Sequence, residues 1–143
     1  MSRLVVDASV AVKWFLTEPH SEHARRFLSP DNELLAPDLI FPEFGNVMWK
    51  RMRGGEMTAE EAVAAVAALL QVPFQVRSSS ELVVAALEIA NRTQRTVYDA
   101  LYLALAVNEN APLVTADERL FNALKDTPLR GHVVWAGMHA RRG

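Results

Sequence analysis

The chain has 143 residues, of which 50% are hydrophobic and 22% are charged, and this length and composition predict a single globular domain over residues 1–143. Its 15 basic and 17 acidic residues give a net charge of −2, which excludes an overall basic coat for nucleic acid but not a local basic patch. The absence of cysteine excludes disulfide scaffolds, thiolate metal sites and cysteine nucleophiles, and it accords with a cytoplasmic location.

Neither a membrane span nor a signal peptide is expected. No apolar run approaches the roughly 20 residues that cross a bilayer. The apolar N-terminal segment is interrupted by Asp7 and Lys13, which is not the pattern of a signal peptide.

Strands and helices are predicted to alternate along the chain. In chain order we expect a strand at 3–7, a short helix that ends before Pro19, a helix at 20–28, a strand at 34–36, helices at 38–53 and 58–71, a strand at 73–76, helices at 79–92 and 96–107, a strand at 112–115, a helix at 117–124 and a strand at 132–135. Several strands are short, continuous apolar runs, a pattern typical of a parallel sheet that helices cover on both faces. The predicted fold class is therefore an α/β/α sandwich.

Local signals mark several element boundaries. Thr58 and Glu61 have the spacing of a capping box, and the glycine pair at 54–55 is expected to end the helix before it. Pro42 is expected to distort the first turn of the helix at 38–53 if Asp38 is its N-cap, because the proline then lies one position too deep. The polar tail, residues 139–143, is expected to be loosely packed.

Four carboxylates lie at the edge of apolar structure. Asp7 ends the first strand, Glu43 lies in an apolar helical stretch, Asp99 lies in the first turn of a helix, and Asp117 follows the fourth strand. Ligands bind at the carboxyl ends of strands in such sheets. Single buried acids are costly and clustered acids repel one another, and a hard cation resolves both problems. An all-oxygen ligand set favours Mg²⁺.

Simpler interpretations compete with a metal site. Asp7, Asp99 and Asp117 all stand where helix caps occur, whereas a capping role does not explain Glu43. The chain has no Gly-x-Gly-x-x-Gly after its first strand and no Walker loop, so dinucleotide and P-loop sites are not expected. Ser9 stands where a phosphatase of the haloacid-dehalogenase type has a second Asp.

Polar and basic residues near the four acids are candidates for supporting roles. The hydroxyls of Ser9 and Thr115 and the amide of Asn46, one turn after Glu43, can orient a carboxylate or a metal-bound water. Tyr102 can stack on a base or simply pack in the core. Three basic residues end the Glu43 helix and are expected to flank the site and contact phosphates: Lys50, Arg51 and Arg53. Other basic residues are candidates for the lining of a cleft around the acids, although surface solvation explains many of them equally simply: Lys13, Arg25, Arg26, Arg92 and Arg95.

Together, the segments around the four acids resemble, in order, the motifs of PIN-domain ribonucleases of the VapC type, the toxins of bacterial toxin–antitoxin pairs. The similar segments are 5–14, 37–49, 98–106 and 113–120; Pro42 is unusual before the motif glutamate. The resemblance implies a Rossmann-like sandwich with about five parallel strands, a Mg²⁺- or Mn²⁺-dependent endoribonuclease, a homodimer and a small VapB-like antitoxin as partner. Its implied metal-binding and catalytic quartet is Asp7, Glu43, Asp99 and Asp117, with Ser9 and Thr115 in support.

These observations predict hydrolysis of RNA phosphodiesters, in which one or two metal ions lower the pKa of a bound water and stabilise the leaving oxygen. Three alternatives are a PIN nuclease for RNA processing without an antitoxin, a non-catalytic PIN module that binds RNA or a partner, and an unrelated α/β hydrolase or phosphatase. The alanine-rich helix after Thr58 and its neighbours have more apolar surface than one sheet face needs, which favours a homodimer.

Overall fold

Five parallel strands form the centre of the computed structural model, which describes residues 2–137. The sheet order is β3-β2-β1-β4-β5, and Val5 lies in register with Leu35 on one side and Leu113 on the other. The strands are β1 (Ser2–Val6), β2 (Asn32–Pro37), β3 (Gln75–Arg77), β4 (Leu113–Thr115) and β5 (Val133–Trp135). This sheet confirms the predicted fold class; the tail at 139–143 lies outside the described residues.

Helices separate the strands, as the hydrophobic pattern predicted. They are α1 (Ala8–Phe15), α2 (Ser21–Arg25), α3 (Ile40–Arg53), α4 (Ala59–Leu70), α5 (Ser79–Thr93), α6 (Val97–Glu109) and α7 (Glu118–Ala123), with 3₁₀ turns at Arg26–Leu28 and Pro128–His132. Of the helices that can be described, none combines the length and the apolar character needed to cross a bilayer.

The most deeply buried helix is α6. Its residues 100–106 are all buried, because α6 packs directly on β1, β2 and β4 while α5 packs against α6. On other parts of the core, α1 contacts β4 and α3, and α3 in turn contacts α4. The continuous apolar run of α6 therefore reflects its place between the sheet and another helix.

The start of α3 differs from the prediction, and the difference removes the expected proline distortion. Leu39, rather than Asp38, is the N-cap, and the helix begins at Ile40. Pro42 is therefore the third helical residue, where a missing N–H costs nothing because the first-turn N–H groups have no intrahelical acceptor. The next amide, that of Glu43, donates to the Leu39 carbonyl at 3.0 Å. The prediction of a distorted first turn was wrong because the N-cap lies one residue later than Asp38, which moves Pro42 from the fourth to the third helical position.

The sheet order creates a crevice at the carboxyl ends of β1 and β4. The chain leaves β1 towards β2 and leaves β4 towards β5, so the two connections diverge on opposite sides of these adjacent strands. Such a reversal of strand order is the usual ligand-binding position in an open parallel sheet. Asp7 directly follows β1, and Asp117 lies two residues after β4.

Candidate active site

The structure brings the four predicted acids to one small pocket at this crevice. The pocket has a volume of about 110 Å³, enough for a small ion with a few water molecules. Four separate segments contribute to it: the start of α1, the first turns of α3 and α6, and the start of α7. The lining residues are Asp7, Ala8, Ser9, Glu43, Asp99, Tyr102 and Asp117.

Asp7 is the most buried of the acids and accepts hydrogen bonds on both carboxylate oxygens. Its Oδ1 accepts from the Ser9 hydroxyl at 2.5 Å and from the Val10 amide at 3.2 Å, and its Oδ2 accepts from the Thr115 hydroxyl at 2.5 Å. Burial raises the pKa of Asp7 to about 6, although these hydrogen bonds oppose the shift; the nearby Asp117 adds to it. Asp7 thus caps α1, as the simpler interpretation held, and also lines the pocket.

Asp117 is joined to Asp7 through the two predicted hydroxyl residues. The Thr115 Oγ1 that donates to Asp7 accepts from the Asp117 amide at 3.0 Å, and the Ser9 Oγ accepts from the Ala116 amide at 2.9 Å. Asp117 Oδ1 accepts from two backbone amides at the start of α7, those of residues 119 and 120. Asp117 is therefore the N-cap of α7, with its carboxylate fixed beside Asp7.

Glu43 accepts a hydrogen bond from Tyr102, for which the sequence offered two other roles, stacking on a base or packing in the core. The Tyr102 hydroxyl donates to Glu43 Oε1 at 2.6 Å, and Tyr102 is 3% exposed. Burial and the adjacent carboxylate raise the pKa of Tyr102, so the phenol stays protonated as a donor. Burial also raises the pKa of Glu43, and Asp99 contributes to that shift. The position of Tyr102 one turn after Asp99 on α6 was the available clue to this role.

Asp99 does not cap its helix, because Thr96 does. The Thr96 hydroxyl accepts from the Asp99 amide at 3.1 Å, which leaves the Asp99 carboxylate free for other contacts. Its Oδ2 lies 3.1 Å from Nη2 of Arg95. Burial raises the pKa of Asp99 and Asp117 adds to this, while Arg95 opposes the shift. Arg95 is one of the basic residues that the sequence offered as the lining of a cleft around the acids, and it contacts one of them.

Other predicted supporting residues lie elsewhere. Asn46 is exposed on α3 and is not among the described residues that line the pocket. Lys50 lies seven residues beyond Glu43 on α3, which is about 10 Å along the helix axis. Arg51 forms an ion pair with Glu18. The end of α3 therefore does not provide the expected basic surface beside the acids, because Glu43 occupies the opposite end of that helix.

The donor set fits a hydrated hard cation. Within residues 2–137, the hydrogen bonds to the side chains of Glu43, Asp99 and Asp117 use one carboxylate oxygen each, which leaves the second oxygen of each available to an ion. No three acidic or imidazole groups in that range come close enough to bind one ion directly. Mg²⁺ suits such a pocket, because it retains several waters and needs only one or two direct carboxylates.

Comparisons with known proteins show relatives in both sequence and fold. The family model described as PIN domain matches residues 4–126. Ribonuclease VapC3 of Pyrobaculum aerophilum is 36% identical over 120 residues, which cover 82% of this chain and 92% of that protein. The crystal structure of PAE2754 from the same organism superposes with a TM-score of 0.66 at 26% identity, covering 85% of this chain and 79% of that one. A toxin–antitoxin complex from Klebsiella pneumoniae superposes with a TM-score of 0.58 at 15% identity, covering 93% and 97% of the two chains.

Proposed function

The chain belongs to the PIN-domain family, and on that basis we propose that it is a Mg²⁺- or Mn²⁺-dependent endoribonuclease and the toxin of a type II toxin–antitoxin pair. The observation that supports this most directly is the meeting of Asp7, Glu43, Asp99 and Asp117 in one pocket. Its relatives include proteins named Ribonuclease VapC. We further propose that residues 1–143 form one domain.

In this proposal the four acids would hold the divalent cation, one or two of them directly and the others through its retained waters, and the cation would supply Lewis-acid chemistry at the scissile phosphodiester and favour ionisation of the attacking water. The chain's own groups fix the geometry. Ser9 and Thr115 fix both oxygens of Asp7, and Tyr102 fixes one oxygen of Glu43. A carboxylate that is not a direct ligand can accept the proton of the attacking water. The chain thus contributes chiefly positioning and charge.

The test is cleavage of single-stranded RNA by the purified protein. EDTA should abolish cleavage, and Mg²⁺ or Mn²⁺ should restore it. Full activity in metal-free buffer would contradict the proposed site. A phosphomonoester offered under the same conditions should stay intact, whereas an unrelated phosphatase would hydrolyse it. RNA binding without any cleavage in Mg²⁺ or Mn²⁺ would instead identify a non-catalytic module, an alternative against which the complete set of acids argues.

An exposed apolar groove supports a small antitoxin as partner. The groove lies between α3 and α4 and has a volume of about 540 Å³. Its residues include Trp49, Val63 and Leu70, which are 45%, 69% and 59% exposed. A concave apolar surface of this kind accommodates the apolar face of one amphipathic helix, and we propose that the antitoxin supplies it. A nuclease for RNA processing would have no such partner, so co-purification of a small protein from the native host distinguishes the two.

A second apolar surface supports the proposed homodimer. Val83, Val84 and Leu87 on α5 are 43%, 72% and 61% exposed, and their spacing places them on one face of the helix. This surface lies on a different helix from the groove, and an exposed apolar helix face can pack against its own copy about a two-fold axis. We therefore propose that α5, rather than the alanine-rich α4, forms the contact between two copies.

A further inference from the structure

The acidic pocket is in contact with one arginine. Among the ion pairs of residues 2–137, only the Arg95–Asp99 pair involves one of the four acids. The two side chains are 25% and 27% exposed, so the pair is partly shielded from water, and Arg95 lies beside the pocket that Asp99 lines.

Arg95 uses little of its hydrogen-bonding capacity on Asp99. One guanidinium nitrogen, Nη2, donates to one carboxylate oxygen, and Nε is buried without a hydrogen-bond partner. An arginine has five N–H donors and commonly binds a carboxylate through two of them. Arg3 shows the difference, since three of its nitrogens contact Glu109 and Glu33. A buried donor without a partner is unfavourable, so Arg95 is ready for a further acceptor.

The backbone on both sides of Arg95 is well defined. Gln94 ends α5 in the left-handed region at φ 60°, and Thr96 is the N-cap of α6. The Arg95 amide donates to the Thr93 hydroxyl at 3.3 Å. The short link between two packed helices therefore fixes the start of the side chain, while the guanidinium at its end can change partner.

A divalent cation in the pocket and the Arg95 guanidinium are both attracted to the carboxylate of Asp99. Both neutralise the same carboxylate, and Coulomb repulsion between them makes simultaneous close contact unfavourable. An arginine that a cation displaces from Asp99 remains beside the pocket. Its planar guanidinium N–H groups can then donate to another acceptor. Phosphate oxygens match that donor geometry better than any other group of RNA.

We propose that Arg95 is a phosphate-binding residue of this site: it competes with the divalent cation for Asp99 and, once displaced, binds a phosphate of the RNA strand next to the cleavage site. This inference rests on the proposed function, because it takes the quartet as the cation site and RNA as the substrate. The basic residues at the end of α3 do not offer the same contact, since Arg51 is paired with Glu18 and Arg53 stacks over Trp49.

The first experiment measures Mn²⁺ binding by calorimetry in the absence of RNA. It compares the parent with Arg95→Gln and with Arg92→Gln, a matched control that removes one positive charge from an exposed position in the last turn of α5. Arg95→Gln should bind Mn²⁺ several-fold more tightly, because the competing cation is gone, while Arg92→Gln should match the parent. Equal or weaker Mn²⁺ binding by Arg95→Gln would overturn the competition. Failure of the parent itself to bind Mn²⁺ would overturn the proposed function instead.

The second experiment measures binding of a single-stranded RNA oligonucleotide over a range of salt concentrations. Ca²⁺ replaces Mg²⁺, and a gel checks that the RNA stays intact. Loss of one phosphate contact should reduce the slope of log affinity against log salt by about 0.7 in Arg95→Gln, and Arg92→Gln should retain the parent slope. Arg95→Lys should keep the slope but bind more weakly, because it keeps the charge and loses the two-pronged donor geometry.

Circular dichroism of all three variants separates these effects from misfolding, and Arg95→Lys provides a second test should Arg95→Gln fail to fold. An unchanged slope in a folded Arg95→Gln would mean that Arg95 only forms an ion pair with Asp99. In that case the proposed phosphate-binding role of Arg95 fails. The proposed ribonuclease activity is tested separately, by the cleavage assay with EDTA, Mg²⁺ and Mn²⁺.

Discussion

At the scale of single residues, the pocket combines acids in different surroundings. Asp7 accepts from two hydroxyls and an amide, Glu43 from one phenol, and Asp99 from an arginine. These partners decide how firmly each carboxylate is held before a cation binds. Asp7 is the fixed member of the group, because donors occupy both of its oxygens.

Asp7 should make the stability of the metal-free protein depend on pH. Burial raises its pKa to about 6, whereas an unfolded aspartate titrates near 3.9. Between these two pKa values, the Asp7 carboxyl group is protonated in the folded chain and ionised in the unfolded chain. The resulting stabilisation is fully present below about pH 4 and is lost as the pH rises through about 6, a change on the order of 3 kcal/mol.

Urea unfolding in EDTA at about pH 4.5 and about pH 7.5 tests this expectation. Asp7→Asn should lose less unfolding free energy between the two pH values than the parent does. Asp31→Asn, which removes an exposed acid from the loop before β2, should follow the parent. Parallel curves for Asp7→Asn and the parent would show that Asp7 does not titrate as described.

Asp99→Asn should separate the metal-binding role of Asp99 from its ion pair with Arg95. In EDTA its stability should stay within about 1 kcal/mol of the parent, because a partly exposed ion pair contributes little and removal of one charge relieves repulsion. In Mg²⁺ at a hundredfold excess over its dissociation constant the parent should gain about 2.7 kcal/mol. The variant should gain much less, and its RNA cleavage should fall by orders of magnitude.

Thermal unfolding with EDTA and with Mg²⁺, beside a cleavage assay, provides the measurement. Asp126→Asn, an exposed acid after α7, serves as the control for loss of one negative charge and should respond to Mg²⁺ as the parent does. An equal Mg²⁺-induced shift in Asp99→Asn, with cleavage retained, would leave Asp99 only as the ion-pair partner of Arg95.

At the scale of elements, the start of α4 is fixed by its cap rather than by burial. Thr58 Oγ1 accepts from the Glu61 amide at 3.0 Å, and Glu61 Oε1 accepts from the Thr58 amide at 2.8 Å. Thr58→Ala should lower the free energy of unfolding by about 1 kcal/mol, while Thr58→Ser should retain most of the stability. Chemical denaturation measures both. Because α4 does not line the acidic pocket, a loss of Mg²⁺ response in Thr58→Ala would contradict this local role.

The sequence predicted the elements well where periodicity and caps were strong. The capping box of α4 and the end of α3 at Gly54 are both observed, and the four acids meet at the carboxyl ends of β1 and β4, where the sequence predicted them. The prediction failed at the start of α3, because an N-cap without a side-chain hydrogen bond, Leu39, leaves no sequence pattern.

The contacts around the acids were less predictable, because they join segments that are distant in the sequence. Tyr102 and Glu43 are 59 residues apart, and the sequence favoured a packing role for Tyr102 because a tyrosine in an apolar helix is more often a core residue. Asn46 shares a helix with Glu43, but one turn along α3 it reaches an exposed position. Periodicity identifies the buried face of a helix, whereas the neighbours of that face depend on how the helices pack.

At the scale of the whole molecule, two apolar surfaces remain exposed on different helices. One is the groove between α3 and α4, and the other is the row formed by Val83, Val84 and Leu87 on α5. Val84, the most exposed member of that row at 72%, tests the proposed dimer. Val84→Glu should leave the folded monomer within about 0.5 kcal/mol of the parent, because the side chain already faces solvent. Light scattering at micromolar concentration should then show a dimer for the parent and a monomer for the variant.

Val63→Glu is the matched control, since it places the same acid at a position of similar exposure, 69%, on α4. It should leave the dimer intact and weaken binding of the antitoxin, because only the groove is altered. A two-fold interface juxtaposes the same patch of both copies, so one acid in the α5 row introduces two like charges into an apolar contact. Dissociation by Val63→Glu rather than Val84→Glu would assign the dimer to α4, and a monomeric parent would exclude the homodimer altogether.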